Sequence, residues 1–288
     1  MRELNREREY SQMTSMSFKG MDIISISDLT KDQIEEILNL ANKMIPYAKG
    51  EKTTKALEGR ILANLFFEPS TRTRLSFESA MIRLGGSNIG ITDHQNSSVA
   101  KGETLADTIR TVECYADAIV LRHPKEGAAR LAAKFSEKPV INCGDGPGQH
   151  PTQTLVDLFT MKQEQGSMKD KNVVLVGDLK YGRTVHSLVE ALALFGANLT
   201  FVAPDILQIP KESVKLLEKA GISINLERNL ENVIADADVL YVTRIQKERF
   251  PDQSEYEKVA GSYKVDNTVL REAKKNLTIM HPLPRVDE

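Results

Sequence analysis

Four consecutive residues of this 288-residue chain carry side chains that together could bind a phosphate group. The segment Ser70–Thr73 contributes three hydroxyls and a guanidinium, and it lies between an apolar strand predicted over 61–67 and a helix predicted to begin near Leu75. A helix start offers unpaired backbone N–H groups and a partial positive charge, which attract an anion. Arg matches phosphate oxygens in a two-pronged way. The pattern predicts a phosphate site, and the simpler alternative is that Ser70 or Thr71 only caps the helix.

The composition indicates a globular protein that is large enough for two domains. Apolar residues make up 41% of the chain and charged residues 27%, as is usual for such proteins. A formal net charge of −2 gives no reason to expect nucleic acid or an anionic membrane as a partner. Cys114 and Cys143 have neither the spacing of a metal site nor the density of a disulfide scaffold, which favours reduced thiols.

Residues 1–20 are predicted to form a flexible N-terminal extension. They are polar and charged, without the apolar stretch of a secretory signal, and their acidic residues argue against a mitochondrial presequence. The longest apolar runs of the chain are far shorter than a membrane span. We therefore expect a cytoplasmic protein with no membrane partner.

Helical and strand patterns alternate from Met21 onwards, which predicts parallel sheets covered by helices on both faces. Thr30 and Gln33 have the spacing of a capping box at the start of the first helix. We infer an α/β fold with two domains, residues 21–150 and 151–288, joined by a helix that begins at the boundary. A second helix is predicted to begin near residue 75, and further helices are predicted over about 103–115, 125–135, 151–165, 184–195, 211–220 and 229–236. The predicted strands span 61–67, 118–121, 140–142, 173–176, 199–202, 222–226, 239–242 and 277–280.

Polar segments with Arg or His among their residues follow six of the predicted strands. In open parallel sheets, ligands bind beyond the carboxyl ends of the strands. The predicted site is therefore a cleft between the domains, lined with cations and suited to a small polyanion. The six segments are 70–73, 122–123, 145–150, 178–183, 243–244 and 281–285.

Several of these segments resemble those of a known enzyme family. Residues 66–78, FFEPSTRTRLSFE, resemble the carbamoyl-phosphate motif shared by the aspartate and ornithine carbamoyltransferases. Residues 177–187, GDLKYGRTVHS, and 243–249, TRIQKER, are similar to the aspartate branch of that family. Residues 281–285, HPLPR, also fit this branch, whereas the ornithine branch usually carries His-Cys-Leu-Pro there. The resemblance extends from about Met21 to the last residue.

The resemblance implies transfer of the carbamoyl group from carbamoyl phosphate to the amine of L-aspartate, giving N-carbamoyl-L-aspartate and phosphate. This reaction is an early step of de novo pyrimidine (UMP) biosynthesis. The amine would attack directly, with phosphate as the proton acceptor and without a covalent intermediate, a cofactor or a metal. The first domain would bind carbamoyl phosphate and the second L-aspartate.

Individual roles are also implied by the resemblance. The phosphate would be held by the Ser70–Thr73 segment, and the carbonyl oxygen would lie near Thr73, Arg122 and His150. Gln153 would accept from the carbamoyl amide. The implied carbamoyl-phosphate set is Ser70, Thr71, Arg72, Thr73, Arg122, His150, Gln153 and Leu283. The implied aspartate set is Lys101, Arg183, Arg244 and Gln246, and the implied catalytic set is Arg72, Thr73, Lys101, Arg122 and His150.

The polar segment 96–103 resembles a loop of the family that crosses into a neighbouring subunit, with Ser97 and Lys101 at the matching positions. This implies a homotrimer with shared active sites, to which a separate regulatory chain could attach. Members of the family carry further C-terminal helices, and we expect these to be missing from a sequence that ends at Glu288.

Three other functions are alternatives at this stage. A related transcarbamoylase with another amine acceptor is disfavoured by Arg244-x-Gln246 and by Pro282. A non-catalytic chain that scaffolds an assembly is disfavoured because both implied binding sets are complete. A dinucleotide-dependent dehydrogenase fits poorly, because the glycines in the segment 144–148 do not follow the G-x-G-x-x-G spacing.

Overall fold

A computed structural model of the protein describes residues 18–91, 98–245, 250, 252–259 and 263–285. The chain separates into two compact units, Met1–Leu155 and Val156–Glu288. Each unit contains a parallel β-sheet flanked by helices, so the predicted α/β class is confirmed. The boundary between the units falls inside the helix that the sequence places at the junction.

The described part of the first unit has a four-stranded parallel sheet in the order β2-β1-β3-β4. The strands are β1 (Ile61–Phe66), β2 (Ser87–Ile91), β3 (Ala118–His123) and β4 (Val140–Asp145). The helices are α1 (Lys31–Ala48), α2 (Thr71–Arg83), α3 (Leu105–Val112), α4 (Ala128–Phe135) and α5 (Pro151–Gln165), the last of which continues into the second unit.

Strands β1 and β3 form the centre of this sheet because both of their faces are apolar, as in other sheets with helices on each side. Alternate residues point to opposite faces. On one face Ala63, Leu65 and Ile119 pack against residues of α3 and α4. On the other face Leu62 and Val120 pack with residues of α2 and β4. The two layers hold the carboxyl ends of β1, β3 and β4 side by side at one edge.

The described part of the second unit has a five-stranded parallel sheet in the order β7-β6-β5-β8-β9. Among the helices of the described ranges, none has the length and apolar composition needed to cross a bilayer. The strands are β5 (Asn172–Gly177), β6 (Asn198–Val202), β7 (Ile224–Glu227), β8 (Val239–Thr243) and β9 (Thr278–Met280), and the helices are α6 (Arg183–Phe195), α7 (Lys211–Lys219) and α8 (Gln253–Glu257).

Two local predictions were wrong, and one strand was not predicted. Helix α2 begins at Thr71 rather than near Leu75, because its first turn is polar and carries no apolar periodicity. The edge strand β2 was not predicted, since most of its residues are exposed. The predicted helix over 229–236 is instead two separate 3₁₀ turns, broken at Val233. Asn and β-branched residues in this stretch have low helix propensity, which favours the shorter turns.

The carboxyl ends of β5 and β8 approach each other closely at Gly177. This glycine pairs in register with Thr243 and has a φ of +114°, and a Cβ atom there would overlap the Thr243 carbonyl oxygen. The Thr243 hydroxyl donates to the Val176 carbonyl at 3.1 Å. The register brings the residues that follow β5 and β8 to the same edge of the sheet.

Replacing Gly177 by Ala should lower the free energy of unfolding by more than about 2 kcal/mol, because backbone strain and overlap with a packed backbone both add cost. The matched control is Gly221→Ala in the same unit, where φ is +76° and no atom lies within 4 Å of a built Cβ. That variant should lose only about 1 kcal/mol. Urea unfolding followed by circular dichroism measures both, and equal losses would contradict the close approach.

Candidate active site

The start of α2 has the features of an anion-binding site. Ser70 occupies the N-cap position with an extended backbone, and its side chain makes no capping hydrogen bond. The first turn, Thr71 to Thr73, contains no acidic residue. The helix therefore begins with N–H donors, hydroxyls and the exposed side chain of Arg72 at the same place. The simpler alternative, in which the Ser70 side chain only caps the helix, therefore does not hold in the structure.

Arg122 is the central buried cation of the first unit, with 8% of its surface exposed. Its Nη1 atom donates to the Cys143 carbonyl at 3.1 Å and lies 3.4 Å from Nε2 of His150. Its Nη2 atom lies 3.3 Å from a carboxylate oxygen of Glu68. These contacts join the ends of β1, β3 and β4 to the residue that precedes α5. The guanidinium is therefore held in one orientation from several sides.

His150 is buried at the start of α5, and donors face both nitrogens of its ring. The backbone N–H of Gln153 donates to Nδ1 at 3.3 Å, and the Thr152 hydroxyl lies 3.4 Å from the same atom. On the other side, Nε2 faces the Arg122 guanidinium. An imidazolium would place N–H groups against donors at both nitrogens, so the arrangement favours the neutral ring.

The sheet register brings the predicted carbamoyl-phosphate residues of the first unit to one edge. Phe66 of β1 pairs with Arg122 of β3, and the Phe67 N–H donates to the Arg122 carbonyl at 2.9 Å. The start of α2 follows β1, and His150 follows β4, which is the other neighbour of β3. Three of the six polar segments that follow predicted strands therefore lie at the carboxyl edge of this sheet, as expected for a parallel sheet.

Lys101 lies at the end of the 3₁₀ turn Ser98–Lys101, with an exposed side chain. Ser97 and Gln246, two further residues of the predicted sets, lie outside the described residues.

In the second unit, the two predicted arginines follow neighbouring strands. Arg183 is the first residue of α6, after β5, and is 8% exposed. Arg244 directly follows β8 and is half-buried. Asp178 is fully buried beside them and accepts from the Tyr181 N–H at 2.8 Å, which fixes the turn between β5 and α6. The edge thus carries two guanidiniums, which suits a dicarboxylate.

Leu283 follows β9, the neighbour of β8, with an exposed side chain. It has a φ of +59°, and its N–H donates to Nδ1 of His281 at 2.7 Å. It therefore belongs to the second unit, whereas the other predicted carbamoyl-phosphate residues belong to the first.

Sequence reasoning missed two groups that contact the predicted residues. Glu68 lies inside the resembling motif, yet a carboxylate beside a phosphate site was not expected, and it balances the charge of Arg122. Cys143 is fully buried, and burial raises the pKa of its thiol to about 12. The Arg122 charge and a hydrogen bond from Thr152 lower that pKa by less. A neutral thiol is a poor nucleophile, so Cys143 shapes the site rather than reacting.

No group of three or more His, Cys, Asp or Glu side chains that could hold a metal ion is found within the described ranges. The donors gathered at the two sheet edges are mostly N–H and O–H groups, which bind anions rather than metal cations.

Two family models match the chain, one for each half. Residues 21–164 match the aspartate/ornithine carbamoyltransferase carbamoyl-P binding domain. Residues 169–288 match the aspartate/ornithine carbamoyltransferase Asp/Orn binding domain.

Individual relatives agree with these matches. The aspartate carbamoyltransferase catalytic subunit of Thermococcus gammatolerans is 56% identical over 273 residues, covering 95% of this chain and 89% of the relative. The catalytic subunit of M. jannaschii aspartate transcarbamoylase superposes with a TM-score of 0.85 at 55% identity, covering 92% of this chain and 87% of that chain. The Trypanosoma cruzi aspartate transcarbamoylase, solved with carbamoyl phosphate and aspartate, superposes with a TM-score of 0.88 at 40% identity. The match covers 94% of this chain and 87% of that chain. The T. cruzi enzyme has also been solved with N-(phosphonacetyl)-L-aspartic acid.

The burial of Cys143 predicts different reactivity for the two thiols. Cys114 is exposed and Cys143 is buried, so one thiol per native chain should react with a disulfide reagent at pH 8, and both should react in denaturant. Below pH 9 the thiol is neutral in both the folded and the unfolded state, and because burial raises its pKa to about 12, the free energy of unfolding should fall as the pH rises from 9 towards 12. Absorbance titration of the released thiolate counts the reactive groups.

The matched variants are Cys114→Ser, which should abolish labelling of the native chain, and Cys143→Ala, which should leave it unchanged. Fast labelling of native Cys114→Ser would show that Cys143 is accessible and would contradict the buried arrangement.

Proposed function

This chain belongs to the aspartate/ornithine carbamoyltransferase family, and we propose that it transfers the carbamoyl group of carbamoyl phosphate to the amine of L-aspartate. The products are N-carbamoyl-L-aspartate and phosphate, and the reaction is an early step of de novo pyrimidine biosynthesis. The observation that carries the proposal is the contact between Arg122 and His150, at the same sheet edge as the start of α2. Cationic and N–H donors are thereby gathered where a carbonyl beside a phosphate would need them.

The first unit is proposed to bind carbamoyl phosphate. The phosphate would accept hydrogen bonds from the helix start and from the Ser70, Thr71, Arg72 and Thr73 side chains, because a helix N-terminus and a guanidinium both favour an anion. The binding of an anion there would compete with Glu68 for the charge of Arg122. Gln153, in the first turn of α5, is proposed to accept from the carbamoyl amide, and Leu283 to contact the same ligand from the second unit.

Catalysis is proposed to depend on donors to the carbonyl oxygen. When the amine nitrogen attacks the carbamoyl carbon, the carbonyl electron pair moves onto oxygen. Arg122, Thr73 and His150 would stabilise that charge, and one such donor is typically worth about 3 kcal/mol. The carbon–oxygen bond to phosphate then breaks, and phosphate takes up the proton released by the amine. No covalent intermediate forms, because carbamoyl phosphate is already activated.

The second unit is proposed to bind L-aspartate. Arg183 and Arg244 would pair with its two carboxylates, since guanidinium and carboxylate match in a two-pronged geometry. Gln246 and Lys101 would complete the set. Orienting two bound reactants can supply roughly 7–11 kcal/mol of the barrier reduction, so positioning would be a large part of the catalysis.

The assembly is proposed to be a homotrimer in which Ser97 and Lys101 act in the site of a neighbouring subunit. Lys101 is exposed on its turn, which suits a contact with a second chain. Relatives of this chain are named catalytic subunits, which supports a separate regulatory chain as a further partner. We place the protein in the cytoplasm, where the exposed thiol of Cys114 stays reduced.

The identity of the amine acceptor is tested with purified protein and carbamoyl phosphate, and L-aspartate and L-ornithine are compared side by side. L-Aspartate should give carbamoylated product and L-ornithine should not, because two guanidiniums favour a dicarboxylate and repel an ammonium. Colorimetric detection of the ureido product measures both reactions. Transfer to L-ornithine alone would overturn the assignment.

In the same assay, Arg244→Gln should raise the KM for L-aspartate by at least about tenfold, since a charge-assisted pair is worth about 1.5–3 kcal/mol. It should leave the KM for carbamoyl phosphate unchanged. Isothermal calorimetry with N-(phosphonacetyl)-L-aspartic acid provides a measurement that does not depend on turnover, and a non-catalytic scaffold chain would give no heat.

Shared active sites are tested by mixing two inactive variants. Lys101→Ala and His150→Ala should each lose about 10²-fold or more in kcat, as removal of a transition-state donor does. If Lys101 acts in a neighbouring chain and His150 in its own, a mixed trimer contains a site with both residues intact. Activity should then return after the variants are unfolded together and refolded, and native mass spectrometry should show three chains. No recovery from a verified mixed trimer would mean that both residues act within one chain.

A further inference from the structure

A buried hydrogen-bonded group in the second unit lies outside the residues assigned above. The Tyr241 hydroxyl donates to a carboxylate oxygen of Asp157 at 2.8 Å, and the Thr184 side chain is hydrogen-bonded to the same hydroxyl. Tyr241 is fully buried and Asp157 is 4% exposed. The three residues belong to different elements, namely α5, α6 and β8.

The hydroxyl and the carboxylate of this group stabilise each other. A buried carboxylate without partners is very costly, and a buried hydroxyl without a partner costs about 1–3 kcal/mol. Burial and the neighbouring Asp157 carboxylate hold the pKa of Tyr241 well above its usual value, so the hydroxyl stays protonated and remains a donor. The Thr184 hydroxyl in turn donates to the Tyr241 oxygen. The Tyr241 hydroxyl is thus hydrogen-bonded to residues of both other elements, α5 and α6.

The chain positions of this group connect it to the proposed aspartate site. Thr184 is bonded directly to Arg183, in the first turn of α6, where the backbone direction sets the direction of the side chain. Tyr241 lies on β8, whose last residue Thr243 directly precedes Arg244. Strands β5 and β8 are hydrogen-bonded neighbours. The Tyr241 hydroxyl therefore ties the element that carries one guanidinium to the element that carries the other.

We infer that Tyr241 is a positioning residue for the acceptor: its hydroxyl holds α6 and β8 to Asp157, and so sets the spacing between Arg183 and Arg244. This inference rests on the proposed binding of L-aspartate by these two arginines. A dicarboxylate of fixed length requires two cations at a fixed separation, and a small misplacement weakens both contacts together. Tyr241 itself touches no substrate in this proposal.

A role in packing alone would have a different signature. Loss of a hydroxyl with only a structural role lowers the free energy of unfolding but changes the KM values of both substrates to the same extent. Loss of a hydroxyl that positions the binding residues of one substrate changes the KM for that substrate more than the KM for the other. The chain offers a matched comparison in Tyr263, which donates from its hydroxyl to the Arg228 carbonyl at 2.8 Å in the same unit. Tyr263 packs beside the apolar cluster around Leu230 and Ile234 rather than beside α5 and α6.

The test compares Tyr241→Phe with Tyr263→Phe in steady-state carbamoyl transfer. Both variants lose one hydroxyl hydrogen bond and keep the aromatic ring. Tyr241→Phe should raise the KM for L-aspartate by about tenfold, the change expected for one lost buried hydrogen bond. Its KM for carbamoyl phosphate should be unchanged, and Tyr263→Phe should alter neither constant. An equal change in both KM values, or none in that for L-aspartate, would overturn the inference.

A double-mutant cycle with Asp157→Asn identifies the partner and also covers the case in which Tyr241→Phe folds poorly. The amide of Asp157→Asn still accepts from Tyr241 but lacks the charge, so this variant alone should show a smaller rise in the KM for L-aspartate. Adding Tyr241→Phe to it should cost less than Tyr241→Phe costs in the wild-type chain, because the two groups interact. Additive effects would contradict the coupling.

Failure of this inference can be distinguished from failure of the proposed function. If the wild-type chain transfers no carbamoyl group to L-aspartate, or if Arg244→Gln leaves the KM for L-aspartate unchanged, the proposed function is wrong. If both of those results are as expected and Tyr241→Phe still matches Tyr263→Phe, only the positioning role of Tyr241 is wrong.

Discussion

The burial of the Arg122 guanidinium at the carboxyl end of β3 is the constraint on which the first unit depends. A cation that is 8% exposed must have acceptors around it, and the structure supplies the Cys143 carbonyl and the Glu68 carboxylate, while the ring of His150 lies against the same guanidinium. The acceptors come from different elements, so the cation also fixes those elements relative to one another. An anion that replaces Glu68 would find the guanidinium already oriented. Such preorganisation is the main source of electrostatic catalysis.

The second unit also has buried neutral and anionic side chains close in sequence to its two arginines. Arg183 and Arg244 follow β5 and β8 at the edge of the sheet, and the buried polar residues Asp178, Thr243 and Tyr241 lie on or next to the same two strands. Asp178 fixes the turn before α6, and Thr243 joins the ends of the two central strands. Tyr241 extends this support to α5. Long flexible side chains lose much conformational freedom on binding, so a rigid base beneath them lowers the cost of ordering them.

The sequence was sufficient to predict the α/β class, most strands and the start of α1, because these depend on local patterns. The capping box is an example: Thr30 accepts from the Gln33 N–H at 3.2 Å, and the Gln33 side chain accepts from the Thr30 N–H at 2.8 Å. The edge strand β2 was missed, since partial exposure removes the apolar signal. Roles in the site came from family resemblance rather than periodicity. The buried pairing of Asp157 with Tyr241 could not be predicted, because its partners are far apart in sequence and are joined only by the fold.

The preference for a dicarboxylate acceptor follows from charge more than from shape. In the proposed site, Arg183 and Arg244 would offer two positive charges to the acceptor. Two unit charges about 4 Å apart interact by about 4 kcal/mol at a typical protein dielectric, which favours a carboxylate and disfavours an ammonium by similar amounts. A hydrophobic pocket that differs by one methylene discriminates by only about 1–3 kcal/mol. Discrimination by charge therefore tolerates modest changes in pocket shape. Affinity is more demanding in the proposed site, because both guanidiniums must reach their carboxylates together, and this is the requirement that the proposed role of the Tyr241 hydroxyl would meet.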